Sequence, residues 1–188
     1  MRDTAGKLED ELTDVLAGEI ILLETKPEET LDTTLSSLKT LTSGESPGII
    51  LTSTRPYSKL IKLCRENNIN TEHLSFIDTI MMSVGVPEKN AEETTAVIYV
   101  SSTSALTEIS LALDKKCSNL GEGGFLFIDS LTTLLIHNSP VALTRFIHYT
   151  LTRLRVRDMG ALLTTMEEGM DSKTRAEIVT LCDKTLTL

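Results

Sequence analysis

The chain has 188 residues, of which 40% are hydrophobic and 24% charged, and its formal net charge is −9. That length supports one sizeable core, and the acidic balance argues against a broad phosphate-binding surface, so nucleic acid is not expected as a partner. No apolar run approaches the ~20 residues that cross a bilayer and the amino terminus lacks a signal-peptide pattern, so a cytoplasmic protein with no membrane attachment is expected.

Residues 1–18 are polar, with Leu8, Leu12, Val15 and Leu16 at helical spacing, and predict a short leading helix ending at Gly18. Glu19 to Leu23 (EIILL) predicts the first buried strand, and Thr25-Lys26-Pro27-Glu28 reads as a capping box with proline in the first turn. The helix after it carries Leu31, Leu35 and Leu38 on one stripe and stops near Gly44. A second strand, Gly48 to Leu51, is followed by the Arg55-Pro56 turn and a helix with Leu60, Ile61 and Cys64 inward. Leu74 to Ile77 is a third strand, closed by Asp78, and residues 83–95 read as a loop. Ala96 to Val100 is a fourth strand, preceding a helix with Leu106, Ile109 and Leu113 on one side.

Phe125 to Ile128 is an unbroken apolar run, the pattern of a strand buried on both faces in a parallel sheet, and it leads directly into Asp129 and Ser130. Asp129 then falls at a strand's carboxyl end, where open α/β sheets place their ligand crevice. Two roles are open to it: holding the magnesium of a bound nucleotide, or capping the strand end by bonding nearby backbone. A helix with Leu143, Phe146, Ile147, Leu151 and Leu154 inward follows, then a turn at Asp158-Met159-Gly160, a strand from Ala161 to Thr165, a polar stretch over 167–175, and an edge strand from Thr185 to Leu188. Strands alternating with helices predict one α/β domain over residues 1–188, a three-layer sandwich with a mostly parallel sheet covered on both faces. Cys64, Cys117 and Cys182 are odd in number and far apart, which predicts reduced, buried thiols. No histidine stands at ligand spacing from a cysteine, so no metal site is expected.

The order of these pieces resembles the RecA-like ATPase fold, and specifically its archaeal KaiC-like branch. The resemblance rests on GGFLFIDSLTTLL (123–135), TRFIHYTLTRLRVRD (144–158), MGALLTT (159–165) and the closing VTLCDKTLTL (179–188). It extends over roughly residues 18–188, matching as a block in the second half and in spacing in the first. The family carries a phosphate loop, GxxxxGK followed by Thr or Ser, whose glycines aim backbone amides at the phosphates and whose lysine neutralises them. The corresponding residues here are Thr25 to Asp32: both glycine positions are Thr, the lysine position is Leu31 and the hydroxyl position is Asp32.

Glu28, Glu29 and Asp32 place carboxylates around the first turn, where the helix dipole favours an anion. A triphosphate there meets like charge; two unit charges ~4 Å apart repel by about 4 kcal/mol at an effective dielectric of 20. The family's water-orienting Glu past the second strand also has no counterpart in Leu51-Thr52-Ser53-Thr54-Arg55-Pro56. The resemblance with these departures implies a pseudoenzyme that does not hydrolyse ATP, with no ATP or magnesium as cofactor and Asp129 in a structural role, bonding Ser130, Thr164 or Thr165.

Two functions follow as expectations. The first is a signalling or assembly module acting through protein contacts, by a partner or by self-association as a dimer or small oligomer. The second is an atypical small-molecule or nucleotide-binding domain in which Thr25, Asp32, Thr52, Ser53, Asp129 and Thr164 form a vestigial pocket of strand-end polar groups. A weaker third is an enzyme using Asp78 and Asp129 with a metal. Arg145, Arg153, Arg155 and Arg157 form a basic stretch that reads either as a docking face for an acidic protein or as a solvated face complementing the helix dipole. His137 and His148 lack a paired nucleophile, so no acyl-transfer site is expected.

Overall fold

The computed structural model describes residues 11–84, 96–120 and 123–188. Seven strands form one sheet: β1 (Ile20–Thr25), β2 (Gly48–Thr52), β3 (Leu74–Asp78), β4 (Val97–Tyr99), β5 (Phe125–Asp129), β6 (Gly160–Met166) and β7 (Lys184–Thr187). Their order is β4-β3-β2-β5-β6-β1-β7, and every pairing is parallel. The apolar runs read from the sequence become the strands buried on both faces, with β5 in the middle, and the carboxyl-terminal strand lies at an edge.

Helices cover both faces. A leading helix α1 (11–16), α2 (Thr30–Leu41) and α3 (Tyr57–Glu66) lie on one; α4 (Leu106–Leu120), α5 (Leu131–His137), α6 (Pro140–Arg155) and α7 (Ser172–Val179) lie on the other. Alternate strand residues feed two separate cores, as the strand period of two requires. Ile21, Leu23, Ile50, Phe76, Phe125 and Phe127 pack under α1–α3, while Ile20, Leu22, Ile49, Leu51, Leu126 and Ile128 pack under α4–α7. Gly160 lets α1 lie close to the sheet: a Cβ there would collide with the backbone carbonyl of Val15.

The structure corrects several sequence expectations. Thr25-Lys26-Pro27-Glu28 is not a capping box. Thr25 is the last residue of β1, held extended by a 2.8 Å bond from Glu167 N to its carbonyl; a 3-10 turn (Pro27–Glu29) then delays α2 to Thr30, and neither start has a side-chain cap. The inward face of α2 is Thr33, Thr34, Ser37, Leu38 and Leu41, whereas Leu31 and Leu35 are only half-buried. Burial of Thr34 is cheap because its hydroxyl bonds the Thr30 carbonyl at 2.8 Å. Helices α5 and α7 are not among the elements that the sequence predicts; each has a polar cap, Ser130 accepting from Thr133 N and Asp171 accepting from Lys173 N and Thr174 N. Ile61 and Cys182 are half-buried, not fully inward. The expected loop lies outside the described residues over 85–95, as do residues 1–10 of the leading segment; residues Met82–Val84 form a 3-10 turn.

No helix among the described residues is long and apolar enough to cross a membrane.

Candidate functional site

The chain leaves β2 toward α3 on one face and leaves the adjacent β5 toward α5 on the other. Divergence of this kind opens a crevice at the carboxyl edge of an open sheet. Here it is spanned by hydrogen bonds. Ser53 N donates to Asp129 O at 2.8 Å, Ser53 Oγ to Asp129 O at 3.0 Å, and Ser130 N donates back to Ser53 Oγ at 3.0 Å. Thr54 Oγ1 and Thr133 Oγ1 lie 3.3 Å apart in the same bridge. The peptide between Asp129 and Ser130 is cis.

On one side of this bridge a crevice of about 60 Å³ is walled by Thr25, by Thr30, Thr33 and Thr34 of α2, by Asp129, and by Thr164 at the end of β6. Of the six residues expected to share a pocket, Thr25, Asp129 and Thr164 do so. Thr52 and Ser53 are buried at the strand ends instead. Thr52 Oγ1 donates to Arg55 O at 2.5 Å, and Ser53 braces β5. Asp32 is exposed on the outer side of α2, because the 3-10 turn shifts the helix; the hydroxyl that faces Asp129 is Thr34, with its Oγ1 3.5 Å from Asp129 Oδ1.

Asp129 is 3% exposed. Its partners differ from those expected: Oδ2 lies 3.4 Å from Arg55 Nη1, while Thr164 Oγ1 donates to the Ile128 carbonyl and Thr165 Oγ1 pairs with Thr132 Oγ1. Burial pushes the Asp129 carboxyl above the usual carboxylate range; the Arg55 guanidinium and the hydroxyls of Thr34 and Thr54 pull it back without cancelling the rise. Nothing local in the sequence marks Arg55, which stands 74 positions from Asp129.

Asp78, considered as a second metal-holding carboxylate, is fully buried and accepts three backbone amides: Tyr57 N at 2.6 Å, Ile80 N at 2.7 Å and Met81 N at 3.0 Å. Its oxygens are occupied in shaping the turn after β3. Among the described residues no cluster of three or more His, Cys, Asp or Glu side chains is placed to hold a metal.

The basic stretch on α6 and the turn after it is largely tied to the fold. Arg153 pairs with Asp114 at 2.8 Å, Arg155 with Asp183 at 3.1 Å, and Arg157 donates to the Cys117 carbonyl at 3.2 Å. Arg145 is exposed and has no ion pair among the described residues. Beyond the bridge of Ser53, Thr54, Asp129, Ser130 and Thr133, the acidic 3-10 turn carries Glu28 exposed and Glu29 half-buried, directly before the crevice residue Thr30 in the chain.

Residues 18–188 match a family of unknown function, DUF7504, and the chain belongs to that family. No curated protein is significantly similar to it. Among solved structures the chain is similar to an uncharacterized Pyrococcus horikoshii protein, PH0321, crystallised in complex with an unknown peptide. That likeness has 14% identity and a TM-score of 0.70, covering 97% of this chain and 82% of that one. It is also similar to the KaiC-like protein PH0186 of Pyrococcus horikoshii (16% identity, TM-score 0.58, 92% of this chain and 71% of that one). A third likeness is to the flagellar accessory protein FlaH of Methanocaldococcus jannaschii (11% identity, TM-score 0.59, 98% and 77%). The fold is therefore RecA-like, of the KaiC-like kind.

Proposed function

We propose that this member of a family of unknown function is a non-hydrolysing pseudo-ATPase that works as a signalling or assembly module through protein contacts. The observation that carries the reading is the Arg55–Asp129 pair. A carboxylate at this position in an ATPase holds a metal ion that bridges nucleotide phosphates. In this chain a guanidinium from the neighbouring strand end already pairs with it. The acidic turn Glu28–Glu29 repels a polyphosphate where an ATPase presents lysine and glycine amides. A crevice of about 60 Å³ is also well below the roughly 300 Å³ at which pockets for drug-sized ligands begin. That shortfall favours protein contact over the small-molecule reading, as does the peptide bound to the Pyrococcus protein of similar fold.

Isothermal titration of the full chain with ATP and magnesium tests this. The expected result is no saturable heat and no phosphate release. A micromolar dissociation constant accompanied by hydrolysis overturns the reading. Pull-down of a defined partner, or a dimer in light scattering, supports the assembly role.

A further inference from the structure

A second hollow opens at the carboxyl edge of the sheet, on the far side of the Ser53–Asp129 and Thr54–Thr133 bridge. Its volume is about 210 Å³. The segments leaving three adjacent strands wall it: Ser53 and Thr54 after β2, Ser83 after β3, and Ser102, Thr103 and Ser104 after β4. Ile80 supplies an apolar patch, and the His137 ring at the end of α5 closes the remaining side. Asn138 fixes α5 to this wall by donating to the Thr103 carbonyl at 3.1 Å.

The chemistry of the hollow follows from where its hydroxyl protons go. Ser53 Oγ donates to Asp129 O at 3.0 Å and already accepts from Ser130 N at 3.0 Å, leaving it one lone pair, while Ser83 Oγ donates to Ile80 O at 2.6 Å. Thr103 Oγ1 spends its proton on Thr79, whose hydroxyl lies 3.0 Å away and whose carbonyl lies 3.3 Å away. Ser102 Oγ and Ser104 Oγ, 2.7 Å apart, share one proton and leave the other free. A hydroxyl that has given its proton to the fold still offers a lone pair. The lining is thus a set of acceptors with a few donors, and among the described residues no Lys, Arg, Asp or Glu belongs to it.

We propose that this hollow binds a small, neutral, polyhydroxylated ligand of monosaccharide size: a sugar ring or cyclic polyol, free or as the ribose of a nucleoside. Such a ligand brings the O–H donors that the spent hydroxyls require, and oxygens that accept from the Ser102–Ser104 pair and from His137. Its C–H face packs on Ile80. Among the described lining residues an inorganic anion finds too few donors and a polycation finds no carboxylate, so each lacks what would repay its desolvation. The volume is below that of pockets for drug-sized ligands, which sets the size. The site is separate from the Arg55–Asp129 crevice, and the proposal holds whether or not the pseudo-ATPase reading does.

Amide NMR titration of the full chain with ribose, glucose and myo-inositol, and with phosphate and spermidine as contrasting ligands, tests it. At least one polyol is expected to give saturable shifts at Ser53, Ile80, Ser102 and Thr103, with a dissociation constant of about 1 mM or tighter. The double variant S102A/S104A weakens this binding about tenfold or more. Ser104 is exposed and Ser102 half-buried, so the variant retains its melting temperature and the loss reads binding alone. Titration of the Asp129 and Thr34 amides with Mg-ATP in the same samples separates this site from the crevice. The proposal is overturned if no polyol gives a saturable shift up to about 50 mM, if phosphate or spermidine moves the same amides instead, or if S102A/S104A binds as the parent does.

Discussion

Arg55 Nη1 lies 3.4 Å from Asp129 Oδ2, joining the ends of β2 and β5 where the chain departs toward opposite faces of the sheet. The carboxylate side chain is 5% exposed and the guanidinium side chain 20% exposed. Removing one member of a buried pair strands the other charge, at a cost of about 3–5 kcal/mol when both are fully dehydrated. The partial exposure of Arg55 and the length of the contact reduce this, and R55M is expected to lower unfolding stability by about 1–2 kcal/mol. Adding D129N to R55M recovers most of that loss. Urea unfolding of the two variants checks both statements, and an R55M curve superimposing on the parent contradicts them.

The same carboxylate predicts a pH effect of unusual sign. Burial raises the Asp129 pKa in the folded chain above its unfolded value, despite Arg55. A group with a raised folded pKa contributes stability that is present below the unfolded pKa and lost as pH rises through the folded one. Above the unfolded carboxylate range the fold therefore carries a cost at Asp129 that the unfolded chain does not. D129N removes it, while Arg55 keeps its access to water. D129N is expected to melt above the parent at neutral pH, with the advantage shrinking as pH falls toward about 4, the unfolded carboxylate range. A variant that melts below the parent at neutral pH reverses this account.

The legibility of the sequence differs between fold and site for a physical reason. Buried parallel strands announce themselves locally: Phe125 to Ile128 and Gly48 to Leu51 are apolar without interruption, and each became a strand. Helix α6 was equally plain, since Leu143, Phe146, Ile147, Leu151 and Leu154 are all buried on one side. The short helices α5 and α7, each burying a threonine beside only one or two apolar residues, are not. In α5 the buried Thr132 bonds Thr165 Oγ1 and receives Met166 N, partners from another strand that no periodicity reveals. Helix α7 buries only Thr174 and Ile178; its sole local mark was Asp171 at the cap. In the site, Asp129 was visible as a carboxylate ending an apolar run, whereas Thr34 and Arg55 meet it only through tertiary folding.

Glu24 and Arg175 give a second, opposite pH response. Glu24 lies near the end of β1, 7% exposed, and accepts from Arg175 Nε at 2.6 Å and Nη2 at 2.8 Å, with Thr187 Oγ1 at 3.3 Å. The bonds from Arg175 hold its carboxyl below the usual range even though burial pushes the other way. A depressed folded pKa contributes stability present above the unfolded value, about 4.3 for Glu, and lost as pH falls through the folded one. Because the pair joins α7 to β1 and β7, E24Q is expected to lower the melting temperature by about 2–4 °C at neutral pH. The difference closes in acid. Equal melting temperatures at neutral pH would show that the pair carries no net stability.

The three thiols provide the last test. Cys64 points from α3 into one core and Cys117 from α4 into the other; Cys182 donates to the Ile178 carbonyl at 3.3 Å. Burial pushes the Cys64 thiol up to about 11 and the Cys182 thiol up to about 12, and it also raises Cys117 against the pull of Arg157. The thiolate is the reacting species, so at mildly alkaline pH almost none of any of the three is in reactive form. All three are free and none is paired. Ellman's reagent is expected to label the native chain slowly, at a rate set by local opening, and to label all three at once in denaturant. Rapid reaction of one thiol in the native chain would show that its surroundings admit both water and reagent, and Cys182, the half-buried member, is where such a failure would appear first.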